Sequence, residues 1–258
     1  MKIIVLSENT SCNPTLKSEH GLSLYIEAVG KKILFDMGQG SLFAENAKKL
    51  GIDISSVDYG IISHGHYDHG GGLAYFLHLN KKAKIYLHRN AFEKHFNNSG
   101  KEIGLDFSLK NNSRLVYVDD YYEIASGLEL YSCNNQPPIF KKNTSGSIKN
   151  DNFNHEIYLK IHEKKSVVIT GCSHKGIINI VHWMKSQVLV GGFHFKDIDC
   201  KTQQEELKCL AEELEKCAKD LNMAFYTCHC TGIEQYNYLK EKLSDKLNYI
   251  ATGSVIEL

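Results

Sequence analysis

The sequence predicts one α/β domain, with sheets packed inside and helices outside. Three observations carry this reading. Two β-rich stretches are each followed by helical patterns, no linker divides the 258 residues, and four apolar strands run directly into histidine-bearing loops. Loops leaving one end of an α/β sheet converge on ligand sites, so the third observation bears on function as well as fold.

Taken in order, Lys2–Leu6, Leu22–Glu27 and Lys32–Phe35 cluster β-formers and read as strands, the last two joined by a turn at Gly30. Leu42–Leu50 reads as a short helix stopped by Gly51. A buried strand follows at Asp58–Ser63, then a helix that starts among Gly70, Gly71 and Gly72 and runs to Leu79. Lys84–Leu87, Leu115–Val118 and Leu128–Ser132 are further strands, with a helix expected over Arg89–Phe96. Asn134–His155 is polar, holds Pro137 and Pro138 and shows no periodicity, which predicts a lid or flexible loop. Ile157–His162 and Ser166–Thr170 then form an expected hairpin, Gly176–Lys185 a helix and Gln187–Val190 a strand. In Thr202–Leu221, Leu207, Leu210, Leu214, Cys217 and Leu221 recur every three or four residues, which predicts a long helix. Ala224–Cys228 reads as a strand, Ile233–Leu247 as a helix and Tyr249–Leu258 as a closing strand.

Thirty Lys+Arg balance 30 Asp+Glu, so no overall field draws the chain onto nucleic acid or an anionic membrane. With no basic tail either, a small-molecule substrate is expected in preference to a nucleic acid. No apolar run approaches the roughly 20 residues that span a bilayer, and the apolar start meets Glu8 at once, reading as a strand rather than a signal peptide. A cytoplasmic protein is expected, with its 8 cysteines reduced. Cys209 and Cys217 fall at apolar helical positions, as buried thiols do.

The decisive segment is Ser63-His64-Gly65-His66-Tyr67-Asp68-His69-Gly70. Imidazole and carboxylate are good ligands for zinc and similar divalent ions. Gly65 lets the backbone fold so that His64 and His66 reach one ion, while Asp68 and His69 point toward a neighbouring position. Three later strands end the same way, leading to His174, His194 and His229. His174 and His229 are expected as ligands and His194 as a substrate contact. Asp36, at the end of its strand, either orients a ligand histidine from behind or only shapes a glycine-rich turn. His78, His88, His95, His162 and His182 lie inside helix or strand patterns and read as packing or surface residues. Cys228-His229-Cys230 lacks the second cysteine pair of a zinc finger, and no Lys-Ser/Thr follows the glycines 70–72 as a phosphate loop requires.

His64-Gly65-His66-Tyr67-Asp68-His69 matches the HxHxDH signature of metallo-β-lactamase-fold enzymes, and Leu34-Phe35-Asp36-Met37-Gly38 resembles the strand that precedes it. Glu19-His20-Gly21-Leu22-Ser23, the segment from Thr170 to Ile177, Gly191-Gly192-Phe193-His194 and His229-Cys230-Thr231-Gly232 are similar to one branch of that superfamily. It comprises metal-dependent hydrolases related to the archaeal 7,8-dihydropterin-6-yl-methyl-4-(β-D-ribofuranosyl)aminobenzene 5′-phosphate synthase. The resemblance implies a four-layer αββα sandwich of two mixed sheets flanked by helices, in a single domain over residues 1–258. It also implies a binuclear site at one edge of the sheets, formed by His64, His66, Asp68, His69, His174 and His229. Family members often carry a metal-bridging Asp where this chain has Cys172, which bridges, binds one ion or binds none. The common third histidine of the family has His155 as a second candidate beside His174.

Two divalent ions, zinc or else manganese or iron, would then activate water for attack on an ester, lactone or phosphate. Asp68 would hold the water as well as metal, and Lys141 and Lys142 would either face an anionic group or stand solvated. The resemblance implies an alternative: a transferase condensing a dihydropterin-methyl diphosphate with an aminobenzene ribonucleotide, His20 or His194 managing protons. A non-catalytic metal-dependent sensor is the third reading.

Overall fold

Alternate residues of a strand face opposite sides, so a strand covered on both sides must be apolar throughout. Strand β1 (Lys2–Ser7) is of this kind: Ile3 and Val5 enter one core, Ile4 and Leu6 another. The computed structural model describes residues 1–140 and 151–258. Lys141 and Lys142 fall outside the described residues, as does the middle of the expected 134–155 loop.

The first sheet has seven strands in the order β14 (Val255–Glu257), β1, β2 (Ser23–Ala28), β3 (Lys31–Phe35), β4 (Tyr59–Ile61), β5 (Lys84–His88) and β6 (Leu115–Val118). Pairs from β14 to β3 are antiparallel, and those from β3 to β6 are parallel. The second sheet repeats the plan with seven strands: β13 (Leu247–Tyr249), β12 (Ala224–Thr227), β11 (Val188–Val190), β10 (Ser166–Ile169), β9 (Tyr158–His162), β8 (Leu128–Tyr131) and β7 (Tyr121–Ala125). Here β10 to β13 are parallel and β7 to β10 antiparallel.

Three buried cores hold four layers together. Val5, Ile26, Phe35, Leu130, Ile161 and Val190 meet between the sheets. On the outer face of the first sheet, α1 (Leu42–Lys49) and α3 (Leu73–Leu79) bury Phe43, Ala47 and Phe76 against Leu34 and Ile85. On the far side, α4 (Ile177–Met184), α5 (Gln204–Asp220) and α6 (Ile233–Leu243) bury Ile180, Leu210, Leu214 and Leu239 against Val168, Leu189 and Phe225. This is the expected αββα sandwich.

Several local expectations are corrected. Arg89–Phe96 is a chain of turns, not a helix: Ala91 and Glu93 donate only three residues back, to the carbonyls of His88 and Asn90. The helix expected to start among the glycines and run to Leu79 is α3, capped by Gly72; a single turn, α2 (Tyr67–Gly70), precedes it, and between them Gly71 and Gly72 pass too close to the carbonyls of Gln39, Met37 and Gly40 for side chains. The predicted closing strand is two strands in different sheets: β13 pairs with β12, and β14 crosses back to β1. The helix before it stops at Leu243, ahead of a 3-10 turn over Ser244–Lys246. Strand β7 was not expected, since its exposed tyrosines hide the alternation. Cys217 is buried in the outer core, whereas Cys209 is only half-buried and all eight cysteines are free. Among the described residues no helix is long and apolar enough to cross a membrane.

Candidate metal centre

The parallel halves of the two sheets send their strand ends to one place. Asp36 leaves β3 with φ 57°, an unfavourable backbone for a non-glycine residue that is held by its side-chain bonds. Its Oδ1 accepts from the Ser63 backbone N–H at 2.7 Å, and its Oδ2 accepts from Ser63 Oγ at 2.8 Å and from His69 Nδ1 at 2.6 Å. His69 therefore carries its proton on Nδ1 and presents the Nε2 lone pair inward. After β4, His64 sits in the loop, His66 caps α2, and Asp68 and His69 lie in its single turn. Gly171, after β10, packs so closely on this group that a methyl group there would collide with Ser63 and crowd Asp36. That close approach brings Cys172 and His174 over the histidine loop. His229 follows β12 with φ 52°. Its backbone N–H donates to Glu8 Oε1 at 2.6 Å and its Nδ1 to Asn9 Oδ1 at 2.9 Å, which again frees Nε2.

The Nε2 atoms come together in pairs. His64 Nε2 lies 3.3 Å from His174 Nε2, and His69 Nε2 lies 3.2 Å from His229 Nε2 and 3.2 Å from Cys172 Sγ. Cys172 stands within ligand range of both pairs. Asp68 Oδ2 lies 3.5 Å from His229 Nε2, 3.9 Å from His69 Nε2 and 3.1 Å from His20 Nε2. His66 is placed differently. Its ring centre is 4.5 Å from that of His64, but its Nε2 turns outward, 3.8 Å from Asp151 Oδ2.

The donor set fits a divalent ion. Burial holds His64, His174 and His229 well below the usual imidazole range, so these rings are neutral; with their Nδ1 atoms at Ser63 Oγ and Asn9 Oδ1, His64 and His229 each turn an Nε2 lone pair toward the facing ring. Ligand nitrogens about 2.0–2.1 Å from a tetrahedral zinc ion lie about 3.3–3.4 Å apart, close to the 3.3 Å and 3.2 Å of the two pairs. Burial also works against protonation of His69, but Asp36 and Asp68 outweigh it and raise its pKa to about 9. A field that favours a proton there favours a metal cation equally. Asp68 is held well below the usual carboxylate range by His69, His20 and His229, which overcome its burial. Burial pushes the Cys172 thiol up, while Cys230, equally buried, is drawn down by Cys172 and His194.

The centre opens on a cleft of ≈ 350 Å³ lined by His20, Asp68, His174, His194, Lys196 and His229, among others. His20 is half-buried at its rim, and His194 is buried with no hydrogen-bond partner for Nδ1 among the described residues. Cys230, Lys196, His95 and Asp151 were missed by sequence reasoning. Cys230 and Lys196 sit one or two residues from expected histidines, and that adjacency was the available signal.

Residues 18–131 match the sequence profile of the Metallo-beta-lactamase superfamily. The chain is 30% identical over 294 residues to a Methanocaldococcus jannaschii protein named 7,8-dihydropterin-6-methyl-4-(beta-D-ribofuranosyl)-aminobenzene-5'-phosphate synthase, covering 100% of this chain and 96% of that one. Among solved structures it is similar to Tm1679, described as a metal-dependent hydrolase of the beta-lactamase superfamily, at 30% identity and TM-score 0.80, covering 100% of this chain and 99% of that one. The metallo-beta-lactamase fold protein YhfI from Bacillus subtilis, at 15% identity and TM-score 0.61 over 100% of this chain and 99% of its own, shares the fold. At 30% identity a likeness running the full length of the chain is a family likeness, and the chain belongs to the metallo-β-lactamase superfamily.

Proposed function

We propose that the chain is a single metallo-β-lactamase-like domain over residues 1–258 that acts as a metal-dependent hydrolase on a small anionic ester, lactone or phosphate. The observation that carries this is the pair of facing imidazole sets, 3.3 Å and 3.2 Å apart, at the floor of an open cleft. His64, His66 and His174 would hold one ion, and Asp68, His69 and His229 a second, with Cys172 between them. A thiolate donor beside imidazoles suits zinc better than the oxygen-preferring manganese, with iron the remaining choice. Bound there, divalent ions would lower the pKa of a coordinated water to roughly 7 and offset negative charge developing on the substrate.

The chain's own groups do the rest. Asp36 and Asn9 fix the tautomers of His69 and His229 by accepting their Nδ1 protons. His20, 3.1 Å from Asp68 Oδ2 and open to the cleft, can carry a proton between that carboxylate and solvent. His194 faces the cleft beside His174, where it can touch substrate. Lys196 adds a positive charge for an anionic group. Eight free thiols fit a reducing, cytoplasmic setting.

A second reading, transfer with loss of diphosphate, is favoured by the full-length likeness to a protein named as a synthase. Metal analysis of the purified protein, with turnover on an ester, lactone and phosphodiester panel, tests the first reading. Two equivalents of metal and hydrolysis of one class are expected; His64→Ala should lose one ion and His229→Ala the other, and each should lose the activity. Unchanged metal in both variants would sink the site. Diphosphate release only when a pterin-methyl diphosphate and an aminobenzene ribonucleotide are both supplied would replace hydrolysis with transfer.

A further inference from the structure

Behind His66, on the side away from the metal centre, lies a second polar cluster. His66, His95, Asp151 and His155 have side chains 5%, 6%, 9% and 2% exposed. Asp151 Oδ2 lies 2.9 Å from His95 Nδ1, 3.2 Å from His155 Nε2 and 3.8 Å from His66 Nε2. Three histidines and a carboxylate within ligand range could be taken for a metal cage of their own.

Proton bookkeeping argues otherwise. The Gly65 backbone N–H donates to His155 Nδ1 at 2.8 Å, so that nitrogen is an acceptor and carries no proton. A neutral imidazole with a bare Nδ1 keeps its proton on Nε2, which here donates to Asp151. His155 thus has no lone pair left for an ion. His95 Nδ1 donates to the same carboxylate. His66 Nε2 is buried and has no hydrogen-bond partner among the described residues; Asp151 is the acceptor it faces.

From this geometry we infer that Asp151 is a positioning residue for His66, on the reading that His66 is a metal ligand. The carboxylate, gripped by His95 and His155, receives the Nε2–H of His66 and so commits the other nitrogen, Nδ1, to the metal. His66 would then bind through the opposite nitrogen from His64, His69 and His229, whose Nδ1 atoms face Ser63, Asp36 and Asn9. Gly65, between the two ligand histidines, is tied to the same network through His155. Asp151 is to His66 what Asp36 is to His69.

The test is competitive titration of the full-length protein with zinc and with cobalt(II) in wild type, Asp151→Asn, Asp151→Glu and His95→Gln. Loss of an outer carboxylate partner lowers metal affinity by about 10–100-fold. That loss is expected in Asp151→Asn for one ion only, the one also lost in His64→Ala, with a changed cobalt visible spectrum and partial recovery in Asp151→Glu. Unchanged affinities and spectrum in Asp151→Asn overturn the proposal. So does equal weakening of both ions together with a lowered melting temperature of the metal-free protein, which marks a merely structural role. A third equivalent of metal lost in Asp151→Asn makes the cluster a metal site and overturns it as well. Failure of His64→Ala to lose any metal overturns the reading on which the inference rests, and is told apart by that variant.

Discussion

Cys172 is the residue where this chain departs from the pattern its relatives' signature implies. A thiol in place of a carboxylate exchanges a hard oxygen for a soft sulfur and leaves only one donor atom where an Asp offers two. Its Sγ is 3.2 Å from His69 Nε2, and it also shares a ligand group with His194 and Cys230. Two sulfurs therefore compete for the role. Cobalt(II)-loaded protein should show a sulfur-to-cobalt charge-transfer band that disappears in Cys172→Ser and persists in Cys230→Ser. The reverse pattern would assign the ligand to Cys230, and persistence in both single variants would remove Cys172 as an obligatory ligand.

At the scale of elements, the segment after β5 shows how a loop serves both stability and site. Its turns carry His95 back to Asp151, which a regular helix over Arg89–Phe96 would not do. His88, the last residue of β5, opens these turns by accepting the Asn90 backbone N–H on Nδ1 at 3.1 Å. Burial, reinforced by Lys175, lowers the pKa of His88 from 6.5 to about 4. Between those values the unfolded chain binds the proton and the folded one does not, so stability falls as pH falls through this window. Above pH 6.5 the contribution is fully present. His88→Gln keeps a polar group but does not titrate. Urea unfolding of metal-free protein at pH 7 and about pH 4.5 should show a smaller acid loss in the variant than in wild type. An equal loss in both would refute the assignment.

At the scale of the molecule, the candidate centre draws its residues from both sheets. His64, Asp68 and His69 come from the first sheet's loops, while Cys172, His174 and His229 come from the second's. Ions held between them would resist separation of the halves as well as serve chemistry. A ligand at a hundred times its dissociation constant stabilises the native state by about 2.7 kcal/mol. In a chain of this size that is roughly 5–10 °C in melting temperature. Zinc should raise the melting temperature of chelator-treated protein by that order, and His229→Ala should lose the part of the gain that the second ion supplies. A calorimetric scan showing no shift with zinc would contradict a centre shared between the sheets.

Local order in the sequence determined what depends on neighbours along the chain. Both-face apolar strands such as Val167–Ile169 and Val188–Val190, the three-four rhythm of α5 and the His64–His69 loop were legible because burial imposes those periods on short stretches. The likeness to a known signature added the sandwich. Pairing between distant segments was decided only by the tertiary structure. Nothing local tells that Leu247–Tyr249 joins one sheet and Val255–Glu257 the other, or that exposed Tyr121 and Tyr122 belong to an edge strand. The same holds at the site. His64 and His66 are two residues apart, yet which nitrogen each offers is set by Ser63 behind one and by Asp151, 85 positions away, behind the other. A histidine's ligand atom is chosen by the hydrogen bond its other nitrogen makes, and that partner is a property of the fold.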